Sequence, residues 1–344
     1  MPVTAAGSPI IVEPGSLDRL GAHVGSAVHR VAIITDTNVG PLYATRARMA
    51  LAAFNPVLIT IPAGETHKTR DTWAHVSDEL LAQGLGRDTT IVALGGGVVG
   101  DLAGFVAATY FRGVPVVQVP TSLVAMIDAS IGGKTGVDTP AGKNLIGAFH
   151  PPAAVVVDPR LLNTLPVREV RSGLAEALKH GAIADAAYFD RVAQQKGDIG
   201  EDLIARSIGI KAEVVNEDPR EAGRRKILNF GHTLGHAIEA ASGYALTHGE
   251  SIAIGMVLEA RVGEQLGVTA AGTAERIARA LEALGLPMKM TLGPADLIAR
   301  TYTDKKARGG LVEYAIPAEI GRFATWTTPV SDGDALRVLR GTID

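Results

Sequence analysis

Cysteine is missing from all 344 positions of this chain. Disulfides, thiolate metal sites and cysteine nucleophiles are thereby excluded, and any bound metal must be held by His, Asp or Glu. The missing disulfides are compatible with a reducing cytoplasm. An excess of one charge sign is also missing: 33 Lys and Arg face 36 Asp and Glu, a net charge of -3. That balance predicts no polyanionic partner such as nucleic acid. Met1 to Pro9 lacks the basic-then-apolar order of a signal peptide. The long apolar run Ile91 to Phe111 is broken by glycines at 95, 96, 97 and 100. It also carries Asp101 near its midpoint, where a carboxylate costs roughly 2.5 to 3.5 kcal/mol in a bilayer. A buried strand, a glycine turn and a buried helix fit this run better than a membrane span.

Of the residues present, 47% are hydrophobic and 20% charged, which excludes a disordered chain. The length suits two domains rather than one core. In the first half, short apolar runs (Val31 to Thr35, Val57 to Ile61, Thr89 to Leu94, Val114 to Val119) alternate with helix-like stretches (Val39 to Ala53, Thr69 to Gln83, Val98 to Tyr110). This alternation predicts a Rossmann-like parallel sheet with helices on both faces. From Arg168 onward, helical spacing dominates: Arg168 to Ile183, Ile199 to Asn216, Ile227 to Ser242, Ser251 to Leu266 and Ala270 to Leu284. Two short strands are expected at Leu311 to Ile316 and Arg322 to Trp326. The expectation is an α/β N-terminal domain over 1–165 and a mainly α-helical, metal-binding domain over 166–344.

Two glycine-rich segments suggest anion binding. Gly95-Gly96-Gly97-Val98-Val99-Gly100 fits G-x-G-x-x-G between a strand and a helix, where backbone amides approach a phosphate. The bland alternative is tight strand-to-helix packing. The nucleotide reading is favoured because Asp36 and Asn38 end another strand, where a ribose or adenine would be held, and Asp101 lies just inside the helix after the turn. Gly132-Gly133-Lys134-Thr135-Gly136, followed by Lys143-Asn144, is not a P-loop, because Asp128 stands where the first glycine belongs. A glycine-supported loop with two lysines still suits an anionic substrate.

The densest signal is Asn229-Phe230-Gly231-His232-Thr233-Leu234-Gly235-His236, followed by Thr247-His248-Gly249-Glu250. His232 and His236 are four apart and share a helical face, the spacing of helical zinc pairs. His248 is a further candidate ligand, and Glu176 or Glu250 a carboxylate one. Spacing alone leaves open which histidines bind metal and which move protons. Glu176 and Lys179 interrupt one apolar helix, which points to a buried role for both.

Taken in order, these segments resemble the 3-dehydroquinate synthases, within the sugar phosphate cyclases. The resemblance is carried by Gly95 to Asp101, Phe111-Arg112-Gly113, Val119 to Leu123, Gly132 to Gly136, Lys143 to Gly147, Ala175 to Lys179 and the histidine block. It implies NAD in the first domain and a divalent metal, zinc or cobalt, in the second. It assigns the metal to Glu176, His232 and His248, and gives His236 a proton-transfer or substrate role. It implies substrate contacts at Arg112, Asp128, Lys134, Asn144, Lys179, Lys211, Arg225, Asn229 and one of Lys305 and Lys306, with Glu221 a proton acceptor. Catalytic roles fall on His236, Glu221, Lys179, Asn229, Lys134 and Asp128. NAD contacts are implied at Asp36, Asn38, Glu65, Lys68, Gly96, Gly97, Val98, Asp101, Thr121, Ser122, Lys143, Leu161 and Thr164. The implied reaction converts 3-deoxy-D-arabino-heptulosonate 7-phosphate to 3-dehydroquinate and phosphate in aromatic amino acid biosynthesis, through transient oxidation, phosphate elimination, reduction and aldol closure. A cytoplasmic homodimer is part of the implication, with Arg112 reaching across its interface and no nucleic-acid or membrane partner. The alternatives are a cyclase making 2-deoxy-scyllo-inosose or an amino-dehydroquinate, and a metal-dependent alcohol or glycerol phosphate dehydrogenase.

Overall fold

The computed structural model describes residues 3–25, 28–197, 199–288, 292–301, 307–308 and 311–340. Two compact units emerge: Met1–Leu165 with Ile199–Asn216, and Pro166–Asp198 with Glu217–Asp344.

In the first unit the strands are β1 (Val3–Ala5), β2 (Ser8–Val12), β3 (Arg30–Asp36), β4 (Val57–Ile61), β5 (Thr89–Gly95), β6 (Val116–Pro120), β7 (Lys134–Thr139), β8 (Gly142–Phe149) and β9 (Ala154–Val157). Helices α1 (Gly40–Ala50), α2 (Arg70–Ala82) and α3 (Gly97–Thr109) lie between them in sequence. The main sheet runs β1-β2-β9-β6-β5-β3-β4 and is parallel except for β1, which pairs antiparallel with β2. Val31 to Ile34 in β3 and Ile91 to Leu94 in β5 are buried at every position. Burial on both faces is why these strands read as continuous apolar runs rather than alternating ones. The chain steps outward from β3 to β4 and returns on the other side of β3 as β5, so the strand order reverses between β3 and β5. In an open parallel sheet the carboxyl ends of the strands at such a reversal form the ligand crevice.

Of the Gly-Gly-Lys-Thr-Gly segment, expected as a loop, Gly132 and Gly133 stay outside any strand at positive φ, while Lys134 opens β7, which pairs antiparallel with β8 in a hairpin carrying Lys143 and Asn144. Helix Glu201–Glu217, expected with the second half, packs with the first unit. Asn216 accepts a hydrogen bond from the Ala6 backbone at 2.9 Å and donates to the Thr4 carbonyl at 2.7 Å.

The second unit contains α4 (Val167–Ala184), α5 (Ala186–Ala193), then, after Glu201–Glu217 (α6), α7 (His232–Ala241), α8 (His248–Gln265), α9 (Thr273–Ala283) and α10 (Pro294–Thr301). Strands β10 (Ala307–Arg308), β11 (Leu311–Tyr314) and β12 (Thr328–Ser331) and helix α11 (Asp332–Arg340) complete it. One core joins α7, α8, α10 and α11 to β11 and β12 through residues such as Leu234, Leu258, Leu297, Tyr314 and Leu339. The strand expected at Arg322 to Trp326 lies instead at Thr328–Ser331, because Arg322 belongs to a tight turn whose carbonyl accepts from Ala318 at 2.9 Å. The helix expected from Ile227 starts at His232. Arg224–Asn229 forms a 3-10 turn, and Gly231 adopts a left-handed φ of 78° that ends it. Helix α8 starts three residues earlier than expected, because Thr247 and Glu250 form a capping box. No described helix is long and apolar enough to cross a membrane.

Candidate active site and metal centre

The nucleotide candidates collect at the carboxyl edge of the parallel sheet. Asp36 ends β3 and Asn38 follows it, Glu65 and Lys68 follow β4, Gly96 to Val98 follow β5, and Thr121 and Ser122 follow β6. These four strands are neighbours. The Asp36 carboxylate accepts from the backbone N–H groups of Asn38 and Val39, both at 2.8 Å, fixing the turn. The glycine run divides by function. A Cβ on Gly95 would lie 2.6 Å from Val99, and one on Gly100 2.9 Å from the Gln118 side chain, so these two serve packing. Gly96 and Gly97 meet side chains only at ordinary contact, and the α3 N-terminus that they open carries no side-chain cap, which suits a phosphate. Lys68 is buried and ion-paired with Asp101 at 2.9 Å and Glu65 at 3.4 Å, while Lys143 reaches Glu65 at 2.9 Å. Burial would lower Lys68, but Asp101, Glu65 and Asp138 hold its ammonium above the ordinary lysine range. Leu161 is buried, and its carbonyl accepts from the Tyr43 hydroxyl at 3.2 Å; Thr164 lies 2.5 Å from that hydroxyl.

Among the substrate candidates of this unit, Lys211 donates to the backbone carbonyl and to the carboxylate of Asp128, both at 2.6 Å. Lys134 and Asn144 are exposed on the hairpin. Asn144 has a left-handed φ of 54°, and its backbone N–H is held by Asp138 at 2.8 Å. Arg112 is exposed within three consecutive positive-φ residues: Phe111 at 47°, Arg112 at 68° and Gly113 at 122°.

In the second unit, three helices converge. Glu176 lies within α4, His232 opens α7 and His248 opens α8. One donor atom from each lies within 4.8 Å of the others. Glu176 Oε1 is 3.2 Å from His248 Nε2 and 3.7 Å from His232 Nε2. The far nitrogens are backed: His232 Nδ1 lies 3.0 Å from the Phe230 carbonyl and His248 Nδ1 3.6 Å from Glu239. A carboxylate with two imidazoles whose second nitrogens are engaged suits zinc or cobalt. His236, Glu239 and His248 also approach within 4.8 Å, so His236 stands beside the triad, its ring centre 5.1 Å from that of His232. Glu250, the other carboxylate left open by the sequence, is committed to its capping box and to Arg168 at 2.6 Å. Lys179 is ion-paired to Glu176, both fully buried.

Close helix packing produces this convergence. A Cβ on Gly249 would lie 2.0 Å from the Ser172 carbonyl of α4, and one on Gly255 2.1 Å from the Gly231 carbonyl. Only hydrogen at these positions lets α8 lie against α4 and α7. Burial, and then the Lys179 charge, hold His232 well below the ordinary histidine value, in the neutral form that a metal needs. Burial would lower His248 too, but hydrogen bonds to Glu176 and Glu239 raise it to about 9. The carboxylate field that favours a proton there also favours a divalent cation in its place.

Asn229 donates to Glu221 at 2.7 Å, and Glu221 itself has a left-handed φ of 60°. Arg225 is buried and donates to the Pro219 carbonyl at 2.6 Å. Lys305 and Lys306 lie outside the described residues. The sequence reading gave no role to Glu239, Glu259, Asp138 or Asp218. Glu259 had a signal: it is a lone charge in the apolar stretch Ser251 to Ala260. Asp138 and Asp218 bond backbone groups of loops and turns, which leaves no periodic trace.

Comparison with known proteins adds to this geometry. Residues 58–172 match the model of the 3-dehydroquinate synthase N-terminal family, and residues 173–307 that of the C-terminal family. A 3-dehydroquinate synthase of Symbiobacterium thermophilum is 46% identical, with 96% of each chain covered. A crystal structure of 2-deoxy-scyllo-inosose synthase, complexed with carbaglucose-6-phosphate, NAD+ and Co2+, matches with a TM-score of 0.88 and 26% identity, covering 99% of each chain. A 2-epi-5-epi-valiolone synthase from Streptomyces hygroscopicus subsp. jinggangensis, with NAD+ and Zn2+ bound, matches at 0.84 with 27% identity, covering 99% of this chain and 98% of that one. With both halves matched and a full-length relative at this identity, the chain belongs to the 3-dehydroquinate synthase family, enzymes of the phosphate-eliminating cyclase type.

Proposed function

We propose that the chain converts 3-deoxy-D-arabino-heptulosonate 7-phosphate to 3-dehydroquinate and phosphate, with NAD at the carboxyl edge of the first unit and zinc or cobalt held by Glu176, His232 and His248. The observation that carries the metal assignment is the approach of both histidine Nε2 atoms to Glu176 Oε1. When bound, NAD supplies reversible hydride transfer at a ring hydroxyl, and the metal supplies Lewis-acid polarisation. The remaining roles belong to side chains. Arg112, Lys134, Asn144, Lys179, Lys211, Arg225 and one of Lys305 and Lys306 neutralise and orient a substrate bearing a carboxylate and a phosphate. Lys211 also fixes Asp128. His236 carries a proton at a ring nitrogen, and Asn229 steers the Glu221 carboxylate as a proton acceptor. Asp36, Asn38, Glu65, Lys68, Gly96 to Val98, Asp101, Thr121, Ser122, Lys143, Leu161 and Thr164 hold the dinucleotide. A cytoplasmic homodimer belongs to the same reading, with the exposed Arg112 offered to its partner copy.

The test supplies purified protein with heptulosonate 7-phosphate, catalytic NAD, and zinc or cobalt. Stoichiometric dehydroquinate and phosphate without NADH accumulation is the expected result. Phosphate without dehydroquinate, or net NADH, would refute the reading. Glucose 6-phosphate run in parallel and turned over in preference would favour the related cyclase.

A further inference from the structure

We propose that Glu259 is a positioning residue for the metal centre, clamping the start of α7 so that His232 is presented to Glu176. The inference rests on the reading of His232 as a ligand. A helix start leaves its first backbone N–H groups without intrahelical partners. In a capping box two side chains serve two of them: one takes the N–H of the third helical residue, the other returns to the N–H of the cap residue. Helix α7 can supply neither from its own sequence. Its cap residue is Gly231, at φ 78°, where a Cβ would lie 2.5 Å from Met256 Cγ, 2.9 Å from its backbone nitrogen and 3.0 Å from the Ile252 carbonyl. The third residue is Leu234, fully buried in the apolar core.

Both bonds come from one carboxylate on α8. Glu259 Oε2 accepts from the Gly231 N–H at 2.7 Å, and Oε1 from the Leu234 N–H at 3.0 Å. Glu259 is fully buried, in a stretch otherwise apolar. His232 lies between the two clamped residues, and its Nδ1 is set against the Phe230 carbonyl just before them. His248 opens α8 itself. Eleven residues make about three turns, so His248 and Glu259 share one face of α8. A single helix thus provides one ligand and fixes the residue that presents another. The negative charge also complements the positive end of the α7 dipole.

The test compares wild type, Glu259→Gln, Glu259→Asp, His232→Ala and Leu281→Val. The last is a core change in α9 that loosens the unit elsewhere. Zinc affinity is measured by competition with a chromophoric chelator, and the ligand field by visible absorption of the cobalt form. Glu259→Gln keeps the size of the side chain but turns one acceptor into a donor facing an N–H. It is expected to weaken zinc binding by about 10-fold or more and to change the cobalt bands. Leu281→Val is expected to lower the melting temperature with neither effect. Wild-type affinity and bands in Glu259→Gln would overturn the inference, as would equal changes in Leu281→Val. Should Glu259→Gln fail to fold, Glu259→Asp, one methylene shorter, decides by the same criteria. If His232→Ala retains wild-type affinity, the ligand reading itself fails.

Discussion

Replacing Gly255 by alanine tests whether helix proximity creates the metal site. The added methyl would sit 2.1 Å from the Gly231 carbonyl oxygen and 2.8 Å from the Gly235 nitrogen, both backbone atoms of the α7 start. No rotamer relieves such a clash. Restoring ordinary contact needs a separation of roughly 1.3 Å between α7 and α8. His232 is the residue after Gly231, so the shift passes directly into a donor set whose atoms lie within 4.8 Å of one another. Overpacking of this kind costs about 1 to 3 kcal/mol, against which alanine returns about 1 kcal/mol of helix propensity. A clash with backbone at 2.1 Å takes the upper part of that range, about 2 to 3 kcal/mol, so the net loss of about 1 to 2 kcal/mol corresponds to a fall of roughly 2 to 8 °C for a unit of this size.

The matched control is Gly333→Ala in α11, where the nearest atom beyond the chain neighbours is Ser331 Oγ at 3.8 Å. There the same substitution should be neutral or stabilise by up to about 1 kcal/mol. Calorimetry gives the melting temperatures, and metal content after dialysis against a graded chelator gives affinity. The expected result is loss of stability in Gly255→Ala alone, with metal weakened only there. Unchanged metal affinity in Gly255→Ala would show that the contact does not set the ligand geometry. Similar stability changes in the two variants would refute the packing argument altogether.

Three further expectations are open to test. His248→Ala should lose metal while His236→Ala keeps it, measured as metal per chain after gel filtration; equal loss would reject the ligand assignment. Burial raises the Asp218 carboxyl, but backbone N–H bonds from Gly223, Ala222 and Arg225 hold it below the ordinary aspartate value. A depressed folded value contributes stability that is present above the unfolded value, near pH 4, and is lost as pH falls through the folded one. Melting temperatures of Asp218→Asn should therefore fall less steeply than wild type below about pH 4, and parallel curves would discard this account. If Arg112 serves the partner's site, inactive Arg112→Ala and His236→Ala chains refolded together should recover about a quarter of wild-type activity through mixed dimers, whereas no recovery would place Arg112 in its own subunit's site.

Much of the fold was legible because burial leaves a periodic trace. Strands β3, β5 and β6 are buried on both faces and read as apolar runs, while α4, α8 and α9 show helical spacing. What escaped was set by partners distant in sequence. β1 and β2 are short, and β2 is identified mainly by pairing with β9, far along the chain. The segment around Lys134 and Lys143 reads as a loop because its glycines and lysines are poor strand formers, yet the hairpin register compensates. The helix Glu201–Glu217 has the amphipathic pattern of a bundle member. The bonds from Lys211 to Asp128, from Asn216 to the Thr4 carbonyl and from the Ala6 N–H to Asn216 reveal which core it joins.

The histidine cluster shows how local spacing marks a site while leaving roles open. Residues four apart on a helix face the same way, so His232 and His236 were the obvious pair. Yet a side chain on the first residue of a helix is aimed by the turn before it, and Gly231 sets that turn. His236, one turn further in, has no such freedom. His248 also stands first in its helix, which brings the two helix starts face to face across Glu176. A pair sixteen residues apart thereby approaches the same carboxylate oxygen. The residues that allow it, Gly231, Gly249 and Gly255, carry no chemistry of their own. Gly249 and Gly255 register in sequence only as glycines within an otherwise good helix, where each is locally unfavourable, and Gly231 as the residue that precedes one. That local cost is the clue: a glycine inside a buried helix, beside a histidine, marks where another backbone must come close.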